Sequence, residues 1–455
     1  MGEVRSIFGR PFLIDPDAAP GSPDAKWPDP PLGQNILTDH AIYHSREHFA
    51  REWNDLWART WNIAGRESDA ARPGDFFRFD LGPESFIVVR GEDGALRAFY
   101  NVCQHRGSQL VDEDFGRRRK LVCPFHSWCW KLDGRLERVT DRETFADAVV
   151  ADEPPLAAAR VATWGGFVFV NMDLHAAPLT DYLAELPGIL DVYRPEDLVV
   201  VKDVSATWPI NWKIGLDAFM EGYHAHMRHP ELIRLIDDYH FQHDLFGRGH
   251  SRMIIPFARK SPRLPDPDAL TPELGVLLAE AGLDPADFAG RAQDLRAPYI
   301  AARRAWGERY GLDFGRYSDS QVADDWNLNV FPNVTLNVHP EGILVMRFRP
   351  HASDPETCHY DVWVLARTSP VAGFRLPFYM DAPDADLSGQ APRPARRYIR
   401  HGEDGMGAVL DQDGAQLPLV QRGVRSRGFG GVRLGYQEIR LRHYYEEYHR
   451  YLPAR

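Results

Sequence analysis

Apolar and polar positions along this chain follow two different periods, and the change from one to the other divides it. Phe49, Trp53, Leu56 and Trp57 recur at helical spacing, which predicts a short amphipathic helix. From about Trp61 the pattern becomes strand-like: Phe76-Phe77-Arg78-Phe79, then Phe86-Ile87-Val88-Val89-Arg90, then a turn at Glu92-Asp93-Gly94 before residues 96–100. This β-rich stretch continues to Asn171, so a small β domain is expected over 58–172. A helical, proline-punctuated region follows to about 325, broken by a strand-like segment at 198–204. Three apolar runs at 328–338, 343–349 and 359–366, linked by short turns, predict an antiparallel meander. Residues 370–398 are proline-rich and read as a surface loop, and 437–451 as a final helix. The first 35 or so residues, rich in Pro, Asp and Gly, read as an extended arm. No internal repeat is visible.

Length and charge narrow the classes. A chain of 455 residues is long enough for two or three domains. Its formal charge of −12 argues against a general nucleic-acid binder, which would show a basic face. No run of about 18 apolar residues reads as a membrane span, and residues 1–20 lack the apolar core of a secretory signal. A soluble cytoplasmic protein is the expectation.

The four cysteines, Cys103, Cys123, Cys129 and Cys358, are too few for a disulfide framework, which turns attention to metal or redox use. Two of them stand beside histidines, in Cys103-Gln104-His105 and Cys123-Pro124-Phe125-His126, with 17 residues between the pairs. A [2Fe–2S] centre with two thiolates on one iron and two imidazoles on the other needs two such short pairs. A Cys₂His₂ zinc site is the structural alternative, but finger-type zinc sites use C-x₂₋₄-C and H-x₃₋₅-H half-sites. The surrounding text, Asn101-Val102-Cys103-Gln104-His105-Arg106-Gly107 and Cys123-Pro124-Phe125-His126-Ser127-Trp128, closely resembles the Rieske ring-hydroxylating oxygenases, and residues 131–136 continue the match. Ser127 stands where that family usually carries Gly, a departure expected to perturb the loop only slightly. Cys129 and Cys358 read as packed thiols.

A second cluster lies in the run from Asn211 to Pro230, which contains Glu221, His224 and His229. Helical spacing puts Glu221 and His224 on one face. His229 falls off that face, so the helix end must unwind or bulge if both imidazoles are to meet one metal. Two histidines and one carboxylate leave open positions on Fe(II). The alternative is a polar helix end, and His226 reads as outside the cluster. The pattern E-x-x-H-x₄-H after Asn211-Trp212-Lys213 resembles the catalytic helix of the same oxygenase family. Carried over, the resemblance makes His224 and His229 iron ligands and Glu221 a bridging carboxylate to a Rieske histidine of a neighbouring subunit, His126 being the first choice. Asn211 is a second catalytic candidate. Glu at the bridge, where most aromatic dioxygenases carry Asp, resembles the subgroup acting on quaternary ammonium compounds. The run 409–423 resembles the family's acidic segment and supplies the third ligand, Asp413, with Asp411 as the alternative.

These resemblances imply an α+β protein with an N-terminal all-β Rieske [2Fe–2S] domain and a C-terminal helix-grip catalytic domain built on an antiparallel sheet. The expected divisions are 1–57 (arm and helix packed on the catalytic domain), 58–172 (Rieske) and 173–455 (mononuclear iron). The implied function is that of a terminal oxygenase using O₂ to hydroxylate or oxidatively dealkylate an aromatic or related small substrate, or alternatively a quaternary ammonium or N-alkyl one. A reading from another class is a Rieske electron carrier without oxygenase activity, which would leave the two-histidine run idle. No convincing dinucleotide fingerprint occurs, so a separate ferredoxin or flavin reductase is the implied electron donor. The implied assembly is a homotrimer, with or without a small β subunit. Arg117-Arg118-Arg119-Lys120, close to Cys123, is a candidate docking patch for the donor or else a solvated hairpin tip. Phe219 and Met220 are candidates for substrate contact. Residues 231–325 are expected to form a helical cover, with Phe241, Phe246, Met253, Ile254 and Phe257 lining an apolar site or packing a core.

Overall fold

In the computed structural model, residues 7–33 and 35–453 are described, so the first six residues of the expected arm lie outside the described part. The chain divides into two compact units. One comprises Phe49–Tyr182 with Pro350–Asp354, the other Met1–His48, Leu183–Arg349 and Pro355–Arg455. The first division, expected at 57/58, thus falls at 48/49, inside the helix Arg46–Glu52. That helix widens into a π turn at Trp53–Trp57, which buries Leu56 and Trp57.

The smaller unit is a seven-stranded antiparallel sheet, in the order Asn62–Arg66, Phe167–Asn171, Ala158–Trp164, Leu96–Tyr100, Glu84–Arg90, Asp75–Leu81 and Phe115–Arg117. Phe76 lies opposite Val89, and Arg78 opposite Ile87. The sequence alternation therefore puts Phe76, Ile87 and Val89 into one core with Phe99, Trp128 and Trp130. Cys103 and Cys123 belong to that core, so their loops are anchored from below. A three-stranded sheet, Leu121–Val122, Cys129–Trp130 and Leu136–Arg138, carries the second loop.

The larger unit is an eight-stranded sheet in the order Gln242–Leu245, Ser251–Ile255, Asp325–Val330, Val334–His339, Gly342–Pro350, Cys358–Ala366, Val199–Trp208 and Arg397–Arg400. Arg397–Arg400 is a parallel edge strand on an otherwise antiparallel sheet. The apolar run expected as one strand at 328–338 is two strands that fold back at a turn. The expected helical cover at 231–325 also contributes two strands, Gln242–Leu245 and Ser251–Ile255. Their inward residues include His243 and Ser251, and a polar buried face hides the alternation that marks strands.

Three helices pack on this sheet: Trp212–Phe219, Ala408–Val424 and Ile439–Tyr451. A Cβ at Gly215 would lie 2.6 Å from the Phe348 ring, so a glycine lets the first helix settle on the sheet. Among the described residues no helix is long and apolar enough to cross a membrane.

Candidate metal centres

The two cysteine–histidine loops share one backbone design. Cys103 N–H donates to Ser108 O (2.8 Å) and Gly107 N–H to Cys103 O (2.9 Å), while Cys123 N–H donates to Trp128 O (2.8 Å) and Ser127 N–H to Cys123 O (3.0 Å). Gly107 and Ser127 hold equivalent left-handed positions, with φ of +78° and +60°. Serine at the second is therefore a local backbone strain of about 1 kcal/mol, within the cost of that region for a residue with a Cβ.

The loops bring both imidazoles together, with ring centroids of His105 and His126 4.7 Å apart. His105 stacks on Trp128 at 4.9 Å and 5°. Nδ1 of each histidine is buried without a hydrogen-bond partner. Burial, then His126 and Arg106, draws His105 down toward the neutral form that can donate a lone pair. Burial raises the Cys123 thiol, but the N–H groups of His126 and Phe125, with Cys103 and Ser108, reverse that to a net lowering. Two buried thiols and two orphaned ring nitrogens fit a Rieske cluster, which Cys103, Cys123, His105 and His126 would hold.

Near this site Arg117 faces Asp75 (3.5 Å), Arg118 pairs with Glu113, and Lys120 with Glu137 (2.8 Å). The basic tip is largely neutralised within its own unit, which weakens the docking reading drawn from its charge.

In the larger unit the helix Trp212–Phe219 opens at Asn211, whose side chain caps Lys213 N–H at 3.0 Å. The Asn211 amide also donates to Pro355 O (2.6 Å), and its own N–H to Gln421 Oε1 (2.7 Å). Asn211 thus positions the helix start and is not brought to the cluster of metal donors. The helix stops at Phe219, so Glu221 and His224 meet across a turn, rather than on the helical face expected from their spacing. Glu221 Oε2 accepts the N–H groups of Tyr223 and His224, and Oε1 lies 2.5 Å from His224 Nδ1. A single helical turn, Ala225–Arg228, then carries His224 at its N-terminal cap and His229 at its C-terminal cap.

Asp413 arrives from the helix Ala408–Val424. Its Oδ1 lies 3.2 Å from His229 Nε2 and 3.7 Å from His224 Nε2. One ligand atom from each of His224, His229 and Asp413 lies within 4.8 Å of the others. Asp411 instead accepts the Met406 N–H (2.9 Å). His226 donates to the Tyr223 carbonyl (2.8 Å) and is half-buried, apart from the cluster.

The outer partners set the tautomers. Glu221 Oε1 and Gln412 Oε1 (2.6 Å from His229 Nδ1) only accept, so each Nδ1 carries a proton and each ring is turned with Nε2 toward Asp413. Gln412 is held in turn by Glu231 (2.8 Å). Sequence reasoning passed over Gln412, whose adjacency to Asp413 was its only signal. Burial alone would lower His224, but the Glu221 and Asp413 carboxylates outweigh it and raise its pKa. Two imidazoles turned with Nε2 toward one buried carboxylate fit a divalent iron with open positions, which His224, His229 and Asp413 would hold.

A cavity of about 670 Å³ adjoins these donors. Its wall combines apolar groups such as Ile214, Leu417 and Phe429 with Asp217, Glu221 and Glu438. Phe219 packs on Phe348 and Tyr360, and Met220 is buried outside the wall of this cavity.

Residues 195–454 match the family described as ring hydroxylating alpha subunit (catalytic domain), and residues 60–153 match the Rieske [2Fe–2S] domain. The carnitine monooxygenase oxygenase subunit of Escherichia coli (strain K12) is 33% identical over 208 residues, 45% of this chain and 55% of that protein. The glycine betaine monooxygenase oxygenase subunit of Chromohalobacter salexigens is 32% identical over 210 residues, 44% and 46% of the two chains. The large oxygenase component of the 2,4-dinitrotoluene dioxygenase system of Burkholderia sp. (strain RASC) is 32% identical over 224 residues, 44% and 47%. The matched part spans about half the length of these curated relatives. The fold is also that of a quaternary ammonium Rieske monooxygenase solved with L-carnitine, at a TM-score of 0.63 and 20% identity over 94% of this chain and 99% of that one. It is likewise that of Rhodococcus sp. naphthalene 1,2-dioxygenase bound to indole, at 0.62 and 19% over 92% and 94%.

Proposed function

The chain belongs to the ring-hydroxylating oxygenase alpha-subunit family, with a Rieske [2Fe–2S] domain ahead of its catalytic domain, and we propose that it is the terminal component of a multicomponent Rieske oxygenase. The observation that carries the activity is the convergence of His224, His229 and Asp413, with both imidazoles oriented by Nδ1 hydrogen bonds. When bound, the iron supplies O₂ activation and the cluster supplies electrons to it. The protein's own part is to orient two imidazoles, keep one carboxylate buried beside them, and position Glu221 against His224. The electron donor is a separate ferredoxin or reductase, and the working assembly is a homotrimer in which Glu221 faces a neighbouring subunit's Rieske histidine.

The substrate reading with the most support is a quaternary ammonium or N-alkyl compound. Two relatives are named for carnitine and glycine betaine, and Glu rather than Asp stands at 221. Burial pushes the Asp217 and Glu438 carboxyls up, and both stand in the cavity wall with Tyr43 and Phe429. An alkylammonium group there would favour their ionised forms and lie against aromatic rings. An aromatic substrate is the second reading, favoured by the apolar wall and by the dinitrotoluene relative.

Electron paramagnetic resonance of the dithionite-reduced protein, with iron and acid-labile sulfide assays, tests the class. A Rieske-type signal with iron in excess of sulfide supports it, and a silent protein carrying stoichiometric zinc overturns it.

A further inference from the structure

The inner face of the catalytic sheet is polar where a core would be apolar. Along one row His243 lies opposite Met253, Met253 opposite Asn327, and Asn327 opposite Asn337. The next row on the same face sets Ser251 opposite Asn329, and Asn329 opposite Thr335. Arg440 reaches this face from the C-terminal helix. It donates through Nε to Ser251 Oγ (2.9 Å) and through Nη1 to Asn327 Oδ1 (2.7 Å) and to the Met220 carbonyl (3.1 Å), one residue before Glu221. Asn327 then donates to Asn337 Oδ1 (3.0 Å), and Asn337 to Asp325 Oδ2 (2.5 Å).

This network is incomplete in one particular way. Arg440 is fully buried, its Nη2 has no hydrogen-bond partner, and no carboxylate of the described residues forms an ion pair with it. On the same face, Thr335 Oγ1, Asn329 Oδ1 and both ring nitrogens of His243 are also buried without hydrogen-bond partners. Burial pulls Arg440 down to about 9 against the more distant Asp325 and Asp244 carboxylates, so it remains a cation at neutral pH, while burial, then Arg440 and Lys26, hold His243 neutral at about 3. An unpaired buried guanidinium is costly, and the group that best relieves it is an anion able to accept two N–H bonds.

We propose that this face is a carboxylate-binding subsite, with Arg440 as its anchor and the Thr335 hydroxyl as a supporting donor. The substrate class is thereby narrowed to organic carboxylates, an inference that deepens the oxygenase reading and rests on it. The Arg440–Met220 bond ties the anchor to the segment that leads into Glu221 and His224, so a substrate held there by its carboxylate is joined through one short run of backbone to the metal donors.

Calorimetric titration of the full-length, metal-loaded protein tests this with two matched pairs, glycine betaine against choline and benzoate against benzamide. In at least one pair the carboxylate member is expected to bind about ten-fold tighter or more, the scale of a charge-assisted hydrogen bond. Arg440→Gln is expected to abolish that preference, and Thr335→Val to weaken carboxylate binding several-fold while leaving every Arg440 hydrogen bond in place. Should Arg440→Gln not fold, Thr335→Val decides the matter. No carboxylate preference in either pair, or a preference unchanged in the folded variants, overturns the subsite. Because the readout is binding, an iron-loaded protein without the preference refutes the subsite alone. A protein that prefers carboxylates but holds zinc in place of cluster and iron refutes the oxygenase reading alone.

Discussion

Glu221 serves two masters: one oxygen caps the turn that carries His224, and the other holds the His224 ring. Glu221→Gln keeps an oxygen for the cap but removes the negative charge opposite the imidazole. Iron content is expected to persist while turnover falls about 10- to 100-fold, the usual cost of losing an outer partner of a metal ligand. Metal analysis beside steady-state rates checks this, and an undiminished rate would show that the charge is not used. Asp217 offers a pH signature. Burial drives its carboxyl up to about 7, against the pull of the Tyr43 and Tyr445 hydroxyls and Lys213, with Glu221 adding a further push upward. The unfolded value is near 3.8, so between about 4 and 7 the unfolded chain has released a proton that the folded chain keeps. The Asp217 contribution is therefore full below about 4 and is lost as pH rises through 7. Denaturation midpoints across that window are expected to fall more steeply with rising pH for the wild type than for Asp217→Asn; parallel curves would refute the assignment.

At the scale of elements, the edge strand Gln242–Leu245 is closed off by the N-terminal arm. Gln242 Oε1 accepts the Ile14 N–H (3.1 Å), Asp244 Oδ1 accepts the Trp27 N–H (2.8 Å), and Arg252 donates to the carbonyls of Pro23 (2.7 Å) and Ala25 (3.3 Å). Asp244 and Arg252 are both fully buried and joined at 2.7 Å. This polar strap covers a sheet edge that would otherwise be open to pairing with another chain. Asp244→Asn strands Arg252 without its counter-charge, and a loss of about 3–5 kcal/mol is expected. Limited proteolysis is expected to cut near residues 23–27 in the variant before the wild type is touched. The composition of the arm predicts an extended segment, but its polar partners on the strand are invisible in a one-dimensional pattern.

For the whole molecule, the proposed assembly makes a test that single subunits cannot pass. Cys103→Ser removes a cluster ligand and His229→Ala an iron ligand, and each homo-oligomer is expected to be inactive. Mixed oligomers, refolded or co-expressed, are expected to regain activity if electrons cross between subunits, and to stay inactive if transfer is confined within one chain. The α+β class, the Rieske loops and the family were legible in sequence, because a metal centre fed from short loops needs its donors at fixed local spacing and a β domain writes its alternation into adjacent residues. Glu221, His224 and His229 were visible for the same reason, being within nine residues of one another. Tertiary structure alone decided the rest. It set Asp413 rather than Asp411 beside the histidines, because the two differ only in which side of one helix they occupy. It turned the expected helical face of Glu221 and His224 into a capped turn. It also gathered His243, Asn329, Thr335 and Arg440 from three strands and a distant helix, since which buried polar atoms are left without partners depends on the register of the whole sheet and not on any local run of residues.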